Sequence, residues 1–207
     1  MEGCVSEGMP NEVVELLRSF DTTGINYRGI RVRDALRFAA EKHNGQRRKY
    51  THEPYVFHPV EVMSYVEMVT LQWHAGREDM LCAALLHDVV EDTDVTLADV
   101  RARFGDRVAR MVDGLTDVSL PSDGNREARK AIDRSHTAEQ SADTQTIKLA
   151  DLISNARSIV EFDEKFARVY LREKSLLLSV LHRGSGALQV LAREMLADSM
   201  KTLEMRG

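Results

Sequence analysis

The feature that most constrains this chain is the spacing of its apolar residues, which recur every three to four positions almost from end to end. Glycine and proline, the residues that punctuate turns, number 12 and 4 in 207 residues, too few for the frequent turns of a β-rich fold. The pattern predicts an all-α protein. With 43% hydrophobic residues, the chain is long enough for one globular domain over 1–207 with a sizeable core, and residues 1–10 are expected to be a flexible N-terminal segment.

Local signals divide the chain. Val32, Ala35, Leu36 and Ala39 mark one helix, closed by the polar stretch around Gly45. Pro59 suits the first position of a helix carrying Val60, Val62, Met63 and Val66, because its missing N–H is not needed there. A third helix is expected from about Glu78 to Glu91. Thr96 and Asp99 resemble a capping box opening a short helix that ends at Gly105, and Asp106 is placed to cap the next. The stretch from Thr116 to Thr144 is the least periodic, and Pro121 to Asn125 reads as a loop, a candidate lid, followed by a short helix. Helical spacing resumes at Ile147 and continues through two C-terminal helices separated by Gly184 and Gly186.

Charge and composition exclude several classes. A formal net charge of -5 argues against a nucleic-acid backbone as partner, since such binders carry a basic excess or stripe. Only Cys4 and Cys82 are present, which implies no disulfide framework and favours a reducing, cytoplasmic setting. No run approaches the roughly 18 apolar residues of a membrane span, and Met1 to Pro10 lacks the basic-then-apolar order of a signal peptide. Neither a membrane nor export is expected. Homo-oligomerisation is left open.

The chemistry concentrates in three places. In Leu81-Cys-Ala-Ala-Leu-Leu-His-Asp-Val-Val-Glu-Asp92 an apolar half gives way abruptly to His87, Asp88, Glu91 and Asp92. On a continuous helix Glu91 lies one turn beyond His87, and Asp92 one turn beyond Asp88. Three carboxylates so close would hold protons unless a cation neutralised them, and a divalent metal is the economical answer. A lone His-Asp pair more often caps a helix end. A second constellation weighs against that reading: Lys148, Asp151 and Asn155 fall at i, i+3 and i+7, a polar stripe between apolar residues that turns Asp151 towards a crowded interior where it needs a partner. Third, a basic loop with Arg48 and Lys49 leads into His58-Pro59, and these two side chains are suited to holding phosphate oxygens. His43, His52, His74, His136 and His182 are read as ordinary surface or hinge histidines.

Taken together, these segments resemble the hydrolase domain of the RelA/SpoT homologues, and in particular the stand-alone small alarmone hydrolases. The resemblance rests on His43-x-Gly-Gln-x-Arg48-Lys49, Pro54-Tyr55-x-x-His58-Pro59, Ala84-Leu-Leu-His-Asp-x-Val-Glu-Asp-Thr93, Phe104-Gly105, Leu115-Thr-Asp117 and Lys148-Leu-Ala-Asp-x-x-x-Asn155, in that order. It implies a helical bundle of the HD type in which His58, His87, Asp88 and Asp151 hold one Mn²⁺. It further implies that Glu91 and Asp92 orient and activate water, and that Arg48, Lys49 and Asn155 hold a nucleotide, with Lys148 beside them. The implied reaction removes the 3′-pyrophosphate from guanosine tetra- or pentaphosphate, leaving GDP or GTP.

The sequence departs from the family in two places. His52 stands where the family often has glycine, so a different loop geometry is expected there. The segments 123–136 and 166–174 align loosely, which leaves Arg126, Arg129, Lys130, Arg168 and Arg172 as phosphate-binding candidates. Rival readings are hydrolysis of an adenosine alarmone or of the 2′-phosphate of NADPH, a non-catalytic nucleotide sensor or antitoxin-like partner, and a plain helical structural protein. No Walker, HExxH or GxSxG pattern supports another enzyme class. Because the chain ends at Gly207, hydrolysis without the synthetase and regulatory domains of longer relatives is expected.

Overall fold

A computed structural model of the protein describes residues 8–22 and 29–206. The helices are α1 (Asn11–Thr22), α2 (Gly29–Lys42), α3 (Phe57–Val69), α4 (Arg77–Leu86), α5 (Val89–Asp92), α6 (Leu97–Phe104), α7 (Asp106–Leu115), α8 (Arg126–Glu139), α9 (Ala142–Phe162), α10 (Glu164–Leu178) and α11 (Gly186–Arg206). Among the described residues there is no strand, only an isolated bridge between Arg47 and Pro54, and no helix long and apolar enough to cross a membrane. The expected all-α bundle is what the chain forms. Cys4 and most of the expected flexible segment lie outside the described residues.

Helix α4 is the axle of the bundle. Every residue from Met80 to Leu86 is buried, because α4 packs against α2, α3, α7 and α9 and has no face left for water, which accounts for an apolar run without helical alternation. Helix α9 packs against α3, α4, α7, α10 and α11. Its buried Gln145 and Thr146 are satisfied by the loop before α11, where Gln145 Oε1 accepts from the Arg183 N–H at 2.9 Å and Thr146 Oγ1 from the Ser185 N–H at 3.0 Å. Gly184 permits that approach, since a Cβ there would meet Leu149 Cδ1 at 2.7 Å and the Gln145 backbone at 3.0 Å.

Several local expectations are corrected. Residues 11–22, not singled out in the sequence, form α1, which buries Val13 and Leu17 one turn apart. Helix α3 starts two residues before Pro59. Asp106 opens α7 without capping it, the N-cap being Gly105, whereas the Thr96–Asp99 capping box forms as expected. The short helix after the Pro121 loop is the 14-residue α8, capped by the Asn125 side chain.

The most consequential correction is that the helix expected from Glu78 to Glu91 breaks at His87-Asp88. His87 Nδ1 lies 2.8 Å from the Ala84 carbonyl, the group that the Asp88 amide would bond in a continuous helix. Asp88 moves to φ -102°, ψ -5°, and helical bonding resumes with the Asp92 N–H on the Asp88 carbonyl. The break sits where the chemistry is.

Candidate active site

Four side chains from α3, the α4–α5 junction and α9 converge at this break. His58 Nε2 and His87 Nε2 are 3.2 Å apart. Asp88 Oδ2 stands 3.4 Å from the first and 3.0 Å from the second, and Asp151 Oδ1 stands 3.4 and 3.8 Å from them. Both rings are buried. Each ring's other nitrogen is engaged: His87 Nδ1 by the Ala84 carbonyl, and His58 Nδ1 by Ser154 Oγ at 2.9 Å. Ser154 gives its own proton to Glu61 Oε2 at 2.6 Å, so Ser154 Oγ is the acceptor for His58 Nδ1–H and the Nε2 lone pair faces the cluster.

Two imidazole lone pairs and two carboxylates aimed at one point need a cation. His58, His87 and Asp88 each offer a ligand atom within 4.8 Å of the others; Asp151 is outside that triple but approaches both rings. The donor set therefore fits a divalent metal. Without one, a proton takes its place: burial alone would lower the His58 pKa, but hydrogen bonds with Asp151 and Asp88 outweigh it and push it up to about 9. Asp88 and Asp151 are held far below the usual carboxylate range, because their histidine partners, and Lys148 for Asp151, overcome the burial penalty.

Around the cluster other groups hold the acids in place. Tyr55 O–H donates to Asp88 Oδ2 at 2.7 Å, and Asn155 Nδ2 donates to Asp151 Oδ1 at 2.7 Å. Lys148 Nζ is 3.6 Å from Asp151 Oδ2 and donates to the Leu115 carbonyl. Glu91 accepts a short hydrogen bond from the Asp117 backbone N–H. Its pKa is raised, chiefly by burial, against the opposing pull of that N–H and of Lys148. The Asp92 pKa is also raised, by burial and by Asp88. Beyond these groups opens a cavity of about 360 Å³, within the usual size range of small-molecule sites.

Residues 35–178 match the HD-domain family. The chain belongs to that family. Within it, the HD chain stands with the small alarmone hydrolases: it is 38% identical over 135 residues to the guanosine-3′,5′-bis(diphosphate) 3′-pyrophosphohydrolase MESH1 of Drosophila melanogaster, covering 64% of this chain and 72% of that one. The human MESH1 is 40% identical over 130 residues, with 61% and 68% covered. A guanosine-3′,5′-bis(diphosphate) 3′-pyrophosphohydrolase of Aquifex aeolicus is 33% identical over 156 residues, but the match takes in 73% of this chain and only 21%, about a fifth, of that longer relative. A solved structure of a metazoan SpoT orthologue, described as hydrolysing ppGpp, superposes with a TM-score of 0.71 at 29% identity over 82% of this chain and 96% of that one.

The remaining sequence-selected residues of this HD domain divide by position. Arg126, Lys130, Lys148 and Asn155 line the cavity with Glu91 and Asp92. Arg48 does not; its guanidinium contacts Glu61, the Ser154 carbonyl and Asn155 Oδ1 at 3.3–3.4 Å, behind the His58–Ser154 link. Lys49 is exposed beside Tyr50, Asp163 and the Phe166 ring. Arg168 reaches the Leu203 carbonyl on α11, while Arg172 is exposed and Arg129 also lies off the cavity lining. His52 takes φ 58°, the left-handed backbone that glycine favours.

Sequence reasoning assigned no role to Tyr55, Arg134, Tyr170 and Lys174, all of which line the cavity. For α10 a signal existed: Phe166, Tyr170 and Lys174 recur at four-residue intervals and share a helix face, whereas Arg168 and Arg172 belong to another.

Proposed function

We propose that this chain is a metal-dependent hydrolase, with His58, His87, Asp88 and Asp151 holding one Mn²⁺, that removes the 3′-pyrophosphate from guanosine tetra- and pentaphosphate. The observation that carries this reading is the meeting of two buried imidazoles with two carboxylates, Asp88 and Asp151, that line a cavity also lined by lysine and arginine. The names of the relatives point to the same substrate. A divalent ion supplies Lewis acidity there, neutralising phosphoryl charge and acidifying water.

The protein's own groups do the rest. Hydrolysis adds one water, so a proton must be taken from that water and one returned to the departing nucleoside oxygen. Glu91, its pKa raised and its carboxylate aimed by the Asp117 N–H, is placed to take the first. Asp92 stands beside it as the second carboxylate. Lys148 is kept charged by Asp151, Asp117 and Glu91 against the effect of burial, and so offers a fixed positive charge to phosphate oxygens. Asn155 holds Asp151 and, through Arg48, is tied to the loop before α3.

The test is a panel assay. Purified protein with Mn²⁺ is given guanosine tetraphosphate, an adenosine alarmone and NADPH, and the products are separated by ion exchange. Release of pyrophosphate and GDP from the guanosine compound, faster than turnover of the others, is expected. Preferential loss of the 2′-phosphate of NADPH, or no turnover at all, would overturn the reading.

A further inference from the structure

Each cation on the cavity wall can be matched against the carboxylates that neutralise it. Arg126 is paired with Glu173 at 2.7 Å. Lys130 is paired with Asp117, and with Asp133 at 3.3 Å. Lys148 is paired with Asp151. Two lining cations have no such partner among the described residues. Lys174 has neither an ion pair nor a hydrogen bond there, and its ammonium lies 5.1 Å from the centre of the Tyr170 ring. Arg134 makes one long contact, 3.5 Å to the Lys130 carbonyl. Both are half-buried and line the same cavity.

We infer that Lys174 and Arg134 form a second phosphate clamp, which selects nucleotides carrying phosphate on an arm other than the one cleaved. This rests on the reading of the cavity as a nucleotide hydrolase site. Long cationic side chains without a carboxylate usually turn to water, and holding two of them at a cavity wall is unfavourable until an anion arrives. Lys174 shows the deficit: burial and the nearby Lys148 and Lys130 lower its pKa, with only Asp151 and Asp117 opposing them. Neither residue belongs to the metal-type cluster: the pair is carried by α8 and α10, which pack together, while the cluster residues come from α3, the α4–α5 junction and α9. A nucleotide whose cleaved arm lies at His58 and His87 thus meets further positive charge on the cavity wall for a second phosphate group. Arginine contributes a fork for two oxygens and lysine a point charge.

The experiment compares two substrates in the full-length protein: guanosine 3′,5′-bis(diphosphate), and guanosine 3′-diphosphate, which lacks the second arm. Lys174→Met and Arg134→Met should each raise KM for the first by at least roughly tenfold, the share of one charged hydrogen bond. Kinetics on the second and manganese content should stay at wild-type values, and Lys174→Arg should restore the preference. An equal loss on both substrates, or no loss on either, would overturn the clamp. Calorimetric binding of GDP and of guanosine separates this idea from the activity on which it rests. If the wild type prefers GDP and the variants do not, the clamp stands even where neither substrate is turned over and the activity reading falls. If the wild type cleaves the bis(diphosphate) but the variants keep its preference for GDP, the clamp alone falls.

Discussion

His58 Nε2 and His87 Nε2 stand 3.2 Å apart, on rings whose Nδ1 atoms are already committed to Ser154 and to the Ala84 carbonyl. Two lone pairs at that distance repel unless a positive charge lies between them. In the metal-free protein that charge is a proton, since the His58 pKa is pushed up to about 9 by hydrogen bonding to Asp151 and Asp88 in spite of burial.

Metal uptake must therefore expel this proton. The folded-state pKa lies above the ordinary histidine value, so the proton is present at neutral pH and is lost only as pH rises through about 9. Apparent manganese affinity should climb with pH across that window and level off above it. Calorimetry in two buffers of different ionisation heat, near neutral pH, should report proton release on ion uptake, from His58 and from His87, whose pKa Asp88 also raises against the effect of burial. Uptake without proton release would contradict the assignment of His58 as a ligand.

The link behind His58 should tune the metal. Ser154→Ala leaves His58 Nδ1 without its acceptor and takes from Glu61 the hydroxyl donor it now accepts from, leaving it to Arg48. Loss of an outer partner of a metal-bound histidine costs about 10–100-fold in affinity, and that is the fall expected in chelator competition. Arg48→Ala, which removes a contact to the same Glu61, should give a smaller fall in metal affinity beside any loss in substrate handling. Unchanged affinity in both variants would show that the link does not govern the ring.

Why some of this was legible in sequence and some was not follows from particular residues. Asp151 was read as inward-facing because the apolar residues flanking it fix the face of α9, a purely local inference. The helix break at His87 has no periodic signature: a side chain takes one carbonyl from a helix whose hydrophobic pattern runs straight through. Arg48 looked like a free phosphate ligand because Glu61, Ser154 and Asn155 meet it only through tertiary packing. Likewise, whether a cation on α8 or α10 is spent on a carboxylate depends on which acids the neighbouring helices bring, so Arg126 and Lys174 look alike in sequence and differ in the fold.

His52 offers a stability test. It is the one non-glycine residue with positive φ among those described, at 58°, and its carbonyl accepts from Arg47 at 2.6 Å. A side chain in the left-handed region costs about 1–2 kcal/mol, partly offset by the freedom a glycine gains in the unfolded chain. His52→Gly should stabilise the protein by up to about 1 kcal/mol, read as a higher urea midpoint with an unchanged slope. A clear loss of stability would mean that the imidazole contributes more than its backbone strain costs.

Glu91 allows chemistry to be separated from metal binding. Its carboxylate accepts from the Asp117 N–H and lines the cavity, but among the described residues only Asp88 and Asp151, and not Glu91, form ion pairs with the His58 and His87 rings. Glutamine at this position keeps the acceptor oxygen for Asp117 and the shape of the site, and removes the group that can take a proton. Glu91→Gln should fold, retain manganese and bind nucleotide, yet release pyrophosphate at least roughly a hundredfold more slowly, the usual size of a lost general base. Calorimetric nucleotide binding and single-turnover release on one preparation decide the matter. Wild-type turnover would hand the proton to Asp92 or to solvent. Loss of the metal would make Glu91 a ligand and remove the four-residue site from consideration.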